Sequence, residues 1–351
     1  MRKICYLTGT RAEFGLMQKI LQGIQADNKL ELILLATGMH LLKEFGETIN
    51  EVKAEFPQVK IIDATYEDDN RLSMARFVGR ALNHLVEALD EAKPDLVLVL
   101  GDRGEQLAMA TASAYLTIPI IHLHGGEQTS TIDNKARNAI TQLSDWHLPA
   151  SRGAAKKLRQ VGIDKHRIKV VGAPGLDQIQ ELPTADKKDY LVVLQHPDAK
   201  EQDAAWQIQQ TLEAVVEFKL PVKVIYPNAD AGGRKMIKVI EAYAHQYPQL
   251  ISVFKSVARS QFLQLLNQAR VFVGNSSSGL IEAPSLKLPF VCIGNRQSGR
   301  EKGNNVIETD YRQKQIEKAI SRALGMRINK IKNPYGNGQT SQRVIKFLKN
   351  I

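Results

Sequence analysis

Apolar runs in this chain repeatedly end in short clusters of charged and small polar residues. These are Gly9-Thr10-Arg11-Ala12-Glu13, Gly101-Asp102-Arg103, the segment from His122 to Thr129, Gln195-His196-Pro197, Asn275 to Gly279, and Asn295-Arg296-Gln297. Loop solvation explains any one of them, but not why each follows a run suited to a buried strand. In "VFVGNSSSGLIEAP" (271–284), Ser276, Ser277 and the N–H groups of a helix start could hold phosphate oxygens, since the helix dipole favours an anion there. Glu282, one helical turn on, could accept hydrogen bonds from a ribose. A plain N-cap accounts for the serines equally well. Arg11 could clamp a phosphate bidentately, or simply pair with Glu13.

The segment "HLHGGEQTSTIDNKARNAIT" (122–141) gathers His122, His124, Glu127, Asp133 and Arg137. Asp133 and Arg137 are four apart and would share a helix face, where an ordinary salt bridge is the bland reading. Asp102 stands just past the apolar run 95–100. Carboxylates at 102, 127 and 133 beside arginines at strand ends point to proton transfer. His122 and His124 could begin a metal site, but no H-E-x-x-H pattern or cysteine partner completes one; the reading is no metal and no cofactor. His196 could meet a leaving phosphate or act as an acid. No Walker, GxGxxG or GxSxG spacing occurs.

The elements that must position these groups alternate along the whole chain. Strand candidates are 3–9, 30–38, 59–66, 95–102, 118–125 and 167–173, then 190–197, 222–228, 250–256, 270–276 and 289–295. Helical stretches lie between them, among them 14–26, 73–92, 201–217 and 260–268. Continuous apolar strands separated by helices mean parallel sheets covered on both faces. The series divides near 174–190, where "GAPGLDQIQELPTADKKDY" brings proline, glycine and charge. Two doubly wound α/β domains follow, with the cleft between them as the default ligand site. An amphipathic helix closes the chain after the turn at 334–338.

Composition narrows the classes. At 351 residues the chain is comfortable for two domains, and 43% hydrophobic with 24% charged residues is an ordinary globular balance. Two cysteines in apolar runs, Cys5 and Cys292, read as buried reduced thiols and fit a cytoplasmic location. No run approaches the length of a membrane span or signal peptide. The net charge of +10 is spread along the chain without an aromatic-interleaved stripe, so neither nucleic acid nor membrane is an expected partner.

Taken in order from residue 9 to residue 338, "GTRAEFG", "LATGMHLLKEFG", "GDRGEQLAMA", "HLHGGEQT", "GAPGLD", "LQHP", "PNADAG", "GNSSSGLIEAPS", "IGNRQSGRE" and "NPYGNG" resemble the hydrolysing UDP-N-acetylglucosamine 2-epimerases of sialic acid biosynthesis. The resemblance implies a glycosyltransferase-B-like fold: a Rossmann-like domain over 1–174 with the catalytic segments, another over 175–335 that binds UDP, and a helix over 336–351 crossing back to the first. It implies conversion of UDP-N-acetylglucosamine and water to N-acetylmannosamine and UDP, through elimination to a 2-acetamidoglucal and its hydration. It also implies a homodimer or homotetramer. Arg11, His196, Ser276, Ser277 and Arg296 match the diphosphate group, with Asn228 among the substrate-binding positions and Glu282 on the ribose. Asp102, Asp133 and Arg137 match catalytic positions, Asp102 and Asp133 being the expected acid–base pair, with Glu127 a further acid.

Three positions depart from the family's pattern. His124 stands before the double glycine where some relatives carry glutamate. Asn138 and Gln142 replace a histidine and a lysine. These departures bear on the sugar. The alternative substrate is UDP-N,N′-diacetylbacillosamine, used in legionaminic acid synthesis. Other readings are a non-hydrolysing epimerase, a glycosyltransferase, and a catalytically silent sugar-nucleotide-binding protein.

Overall fold

Residues 2–8, "RKICYLT", form strand β1 (Arg2–Thr8), whose last five side chains are all buried. Such a strand needs apolar cover on both faces, and parallel neighbours with crossover helices supply it. It pairs in parallel with β2 (Leu30–Ala36) on one side and β4 (Leu96–Leu100) on the other. With β3 (Lys60–Ile61), β5 (Ile120–Leu123) and β6 (Trp146–Leu148) the order is β3-β2-β1-β4-β5-β6. Between and after these strands run α1 (Arg11–Ala26), α2 (Ile49–Glu55), α3 (Arg71–Ala92), α4 (Gly104–Tyr115), α5 (Asp133–Leu143) and α6 (Arg152–Gln160).

The second sheet repeats the plan. It holds β7 (Leu191–Leu194), β8 (Val222–Ile225), β9 (Ile251–Phe254), β10 (Val271–Gly274), β11 (Phe290–Ile293) and β12 (Val306–Thr309), in the order β12-β11-β10-β7-β8-β9. Its helices are α7 (Ala204–Val216), α8 (Gly233–Gln246), α9 (Arg259–Gln268), α10 (Ser278–Ser285) and α11 (Gln313–Leu324). Both sheets are doubly wound in the Rossmann order, which reverses between β1 and β4 and again between β7 and β10. Such reversals are where open α/β sheets generally bind ligands, beyond the carboxyl ends of the strands.

The structure, a computed structural model, describes residues 1–68, 70–129, 132–198, 203–328 and 331–351. The chain divides into two units. Met1–Glu127, Ile132–Gln178 and Tyr335–Ile351 make the first; Gln128–Thr131 and Ile179–Pro334 make the second. A final helix, α12 (Thr340–Leu348), belongs to the first unit. Its Val344, Phe347 and Leu348 join a core with Met17, Leu21 and Ile24 of α1, and the Phe347 and Trp146 rings meet edge to face at 5.5 Å. Asp177 caps it, its carboxylate accepting from the N–H of Thr340 at 2.9 Å and of Ser341 at 2.5 Å. Both cysteines are free and buried, one in each unit. Among the described residues no helix is long and apolar enough to cross a membrane.

Several expected elements differ. The run 167–173 is no strand. It touches β6 through one bridge, His147 to Ile168, and turns away at Gly172 with Val170 exposed. Of 59–66 only Lys60–Ile61 pairs as strand; Thr37 Oγ1 instead donates to the carbonyls of Ile62 and Ala64 and holds the rest. The helix expected over 201–217 begins at Ala204, and positions 201 and 202 lie outside the described residues. Strands β6 and β12 carry apolar runs too short to stand out from loop.

Candidate functional site

In the first unit the polar residues gather beyond β1, β4 and β5. The guanidinium of Arg137, the largest fully buried side chain among the described residues, forms an ion pair with Asp102. Its Nη1 also donates to the Glu127 carbonyl at 3.2 Å. A buried guanidinium is tolerable only when paired and hydrogen-bonded. This one holds the loop after β4 and the loop after β5 on a single planar group, and keeps a positive charge beside Asp102. Spacing suggests a helix salt bridge from Arg137 to Asp133; the structure gives Arg137 an ion partner on another loop, Asp102. Asp133, half-buried, is the first residue of α5.

The Glu127 carboxylate turns elsewhere. Its Oε1 accepts from Nδ1 of His124 at 2.8 Å, with both side chains largely buried. Glu127 therefore orients an imidazole, leaving Nε2 as the nitrogen able to exchange a proton. His124 itself sits at φ 61, a left-handed conformation uncommon for a residue with a side chain. The glycines after it permit this turn. At Gly126 (φ +81) a Cβ would lie 2.4 Å from the Ala154 carbonyl oxygen, so the chain can pass only where no side chain exists.

His122 is a support for the loop after β4. It is fully buried, with Nε2 on the Gly101 carbonyl at 2.8 Å and Nδ1 on the Thr141 hydroxyl at 3.2 Å. Burial lowers its pKa to about 3, so the neutral ring donates from Nε2 and accepts at Nδ1. It pins the carbonyl next to Asp102. Among the described residues no group of three His, Cys, Asp or Glu is placed to hold a metal ion.

Arg11, in the first turn of α1, pairs through Nε and Nη2 with both oxygens of Glu51 on α2. Glu13 is not its partner; Glu13 accepts from the Gly9 N–H at 2.8 Å. Arg11 is thus held in a bidentate geometry, the geometry in which a guanidinium also meets a phosphate.

In the second unit the groups lie beyond β7, β8, β10 and β11. Asn275, fully buried after β10, brackets His196: its Oδ1 accepts from the His196 N–H at 2.7 Å and its Nδ2 donates to the His196 carbonyl at 2.8 Å. Gln297 donates to the Asn275 carbonyl at 2.7 Å. The backbone N–H of Asn228 donates to Nδ1 of His196 at 3.1 Å. Nδ1 is therefore unprotonated, and Nε2 carries the hydrogen as a neutral N–H donor. The Asn228 side chain donates to Asp230 at 2.6 Å, and Arg296 approaches the same carboxylate at 3.8 Å.

The serine loop is only partly a helix cap. Ser276 Oγ accepts from the Ser278 N–H at 3.3 Å, whereas the Ser277 side chain makes no capping bond. The α10 start therefore leaves the Ser277 hydroxyl uncommitted, which weighs against the plain N-cap reading. Glu282, 1% exposed, accepts from Arg259 Nη2 at 2.8 Å. Sequence reasoning missed Arg259 and, for Asn275, Gln297, His122 and Thr141, the supporting roles described here. Those four lie within quoted motifs; Arg259 had no signal, because its partner is 23 residues away.

Two parallel sheets in Rossmann order, each with polar groups beyond its strands' carboxyl ends, define a glycosyltransferase-B-like protein. The comparisons narrow the class. The family described as UDP-N-acetylglucosamine 2-epimerase matches residues 22–349, and the chain belongs to it. It is 38% identical over 366 residues to the UDP-N,N′-diacetylbacillosamine 2-epimerase (hydrolyzing) of Legionella pneumophila, covering 100% of this chain and 96% of that one. It is 33% identical over 362 residues to the UDP-N-acetylglucosamine 2-epimerase of Neisseria meningitidis, covering 99% and 94%. The structure of the Methanocaldococcus jannaschii UDP-GlcNAc 2-epimerase, in complex with UDP-GlcNAc and UDP, superimposes with a TM-score of 0.80 at 20% identity, over 99% of each chain.

Proposed function

We propose that the chain is a hydrolysing UDP-sugar 2-epimerase whose substrate is UDP-N,N′-diacetylbacillosamine. The observation that carries the reaction type is the buried Arg137, which ties ionised Asp102 to the loop bearing the His124–Glu127 pair. The sugar rests on the Legionella relative and on His124, Asn138 and Gln142, where the chain departs from the usual pattern. This reverses the order of the two sugars read from the sequence. UDP-N-acetylglucosamine is the second reading, supported by the Neisseria relative.

The C2 hydrogen of such a sugar is not acidic, so direct deprotonation is slow. Breaking the bond from C1 to the diphosphate oxygen first builds positive charge at C1 and acidifies C2. In the second unit, the His196 Nε2–H, the Ser276 and Ser277 loop, Arg296 and Asn228 receive the UDP part, and Glu282 meets its ribose; in the first, Arg11 adds a cation. These donors stabilise charge that develops as UDP leaves. A carboxylate then takes the C2 proton, giving a glycal. Water adds its oxygen to C1, and a proton returns to the opposite face of C2. The products are UDP and the free 2-epimeric sugar. Asp102 and Asp133 are the acid–base pair, and His124, oriented by Glu127, is a third proton carrier.

Proton NMR of the purified protein in D2O with each UDP-sugar tests this. The expected result is faster release of UDP from the diacetamido sugar, with the free product deuterated at C2. A UDP-linked product would overturn hydrolysis, and faster turnover of UDP-N-acetylglucosamine would overturn the sugar.

A further inference from the structure

Two buried carboxylates flank the reversal of strand order in the first unit, and the chemistry above uses neither. Glu13, 5% exposed, lies in the first turn of α1; Glu105, 0% exposed, lies in the first turn of α4. Both press on Gly9. Its N–H donates to Glu13 Oε2 at 2.8 Å, and a Cβ added to it would sit 2.1 Å from Glu105 Oε1. Gln106 completes the tie. Its Nε2 donates to Glu13 Oε1 at 2.5 Å and to the Leu7 carbonyl of β1 at 2.7 Å, and its Oε1 accepts from the Leu100 N–H of β4 at 3.2 Å.

The charges do not balance. Glu105 Oε1 accepts from Arg103 Nε at 2.6 Å, while Glu105 Oε2 is buried with no hydrogen-bond partner. Arg103 also reaches the Tyr66 hydroxyl at 3.2 Å. The other titratable groups facing the pair are Tyr6 from β1, whose phenol burial and Glu13 keep neutral, and His40, beside Thr8, which burial and the charges of Arg11 and Arg103 keep neutral near neutral pH. Two ionised carboxylates against one adjacent guanidinium would leave a buried charge uncompensated. One proton retained by the pair removes it.

We propose that Glu13 and Glu105 are positioning residues, a one-proton carboxyl pair that clamps the loop leading into Arg11 to the loop carrying Asp102. The clamp's catalytic consequence rests on the reading that Arg11 and Asp102 act on the substrate; the retained proton does not. Burial and the Glu105 charge raise Glu13 to about 8, so the proton leaves in mildly alkaline solution. Repulsion between the carboxylates then loosens Gly9 and draws on Arg103, the residue next to Asp102.

The test compares the full-length wild type with Glu105→Gln, which keeps an acceptor for Arg103 and removes the like charge. The wild-type kcat/KM is expected to fall about tenfold between pH 7 and pH 9, and that of the variant by less than about twofold. Superimposable profiles would overturn the clamp, as would a variant lowered equally at every pH. Lys187→Arg serves as a control, since Lys187 is lowered to about 8 by burial and titrates in the same range; loss of the alkaline limb there would assign the limb to that lysine. Urea unfolding gives a readout independent of turnover. A carboxyl raised from 4.5 to about 8 favours the fold below 4.5 and loses that contribution as pH rises to 8. The wild-type midpoint should fall over this window relative to Glu105→Gln. Parallel midpoints would sink the retained proton even if no UDP-sugar is turned over, whereas a linked midpoint without turnover would fault only the functional reading. If Glu105→Gln does not fold, Glu13→Gln provides the same comparison.

Discussion

Arg137 and Asp102 lie 35 positions apart and form an ion pair in which the arginine is wholly buried. Removing one member leaves the other's charge stranded, so single and double substitutions have different consequences. Asp102→Asn is expected to cost about 3 kcal/mol of stability and to lower turnover at least ~100-fold. Asp102→Asn with Arg137→Met should recover most of the stability and none of the turnover. Urea titration and steady-state kinetics on the three proteins read both quantities. A stable but equally inactive single variant would show that the pair does not hold the loop.

Asn275 holds His196 through two hydrogen bonds to its backbone. Asn275→Ala removes both, at a cost of about 2 kcal/mol. Because His196 is expected to act as charge leaves with UDP, kcat should fall by about tenfold or more while KM changes less. An increase in KM alone would place His196 in ground-state binding.

The uncommitted Ser277 hydroxyl and the buried Glu282 predict UDP affinity directly. By calorimetry, Ser277→Ala should weaken UDP binding about fivefold and Glu282→Ala by tenfold or more, each removal costing one or two hydrogen bonds. Unchanged affinity in both would remove the serine loop from the UDP site.

His147 is fully buried, and neither ring nitrogen has a hydrogen-bond partner. Burial lowers its pKa from 6.5 to about 4. The folded chain therefore binds fewer protons than the unfolded chain between these values. The contribution is present above pH 6.5 and is lost as pH falls toward 4. His147→Leu should unfold at a higher urea concentration than the wild type at pH 5, with a smaller difference at pH 7. His122 and His40 have the same sign, with values lowered to about 3 and about 4, and should leave residual acid sensitivity in that variant.

The architecture was largely legible because parallel strands buried on both faces leave long apolar runs, as in "DLVLVL" and "VFVG". The three residues of β6, ended at once by Pro149, fell below that signal. The run at 167–173 misled because alternation describes a chain beside a sheet as well as one within it. The polar clusters were legible as clusters, since strand ends are where crevices form. Their partners were not. Spacing offered Asp133 to Arg137, and the fold supplied Asp102; spacing offered Glu13 to Arg11, and the fold supplied Glu51. Such pairs depend on which loops a sheet order brings side by side, which no local window contains. Glu105 and Asn275 were hidden for the same reason: each acts on a backbone segment encoded far away.

The capping of α12 by Asp177 has a consequence for how the chain comes off the ribosome. Val344, Phe347 and Leu348 complete a core whose other residues begin at Ile4, so the earlier-made unit waits for residues made after the whole of 179–334. Residues 179–334 are all available before then. The nascent chain is thus expected to close its second unit first and to hold the first open, with Met17, Leu21 and Trp146 uncovered, until residues 340–348 have emerged. That interval is when chaperones would have most to hold, and a premature stop before Thr340 should yield an aggregating product in which only the second unit is properly formed.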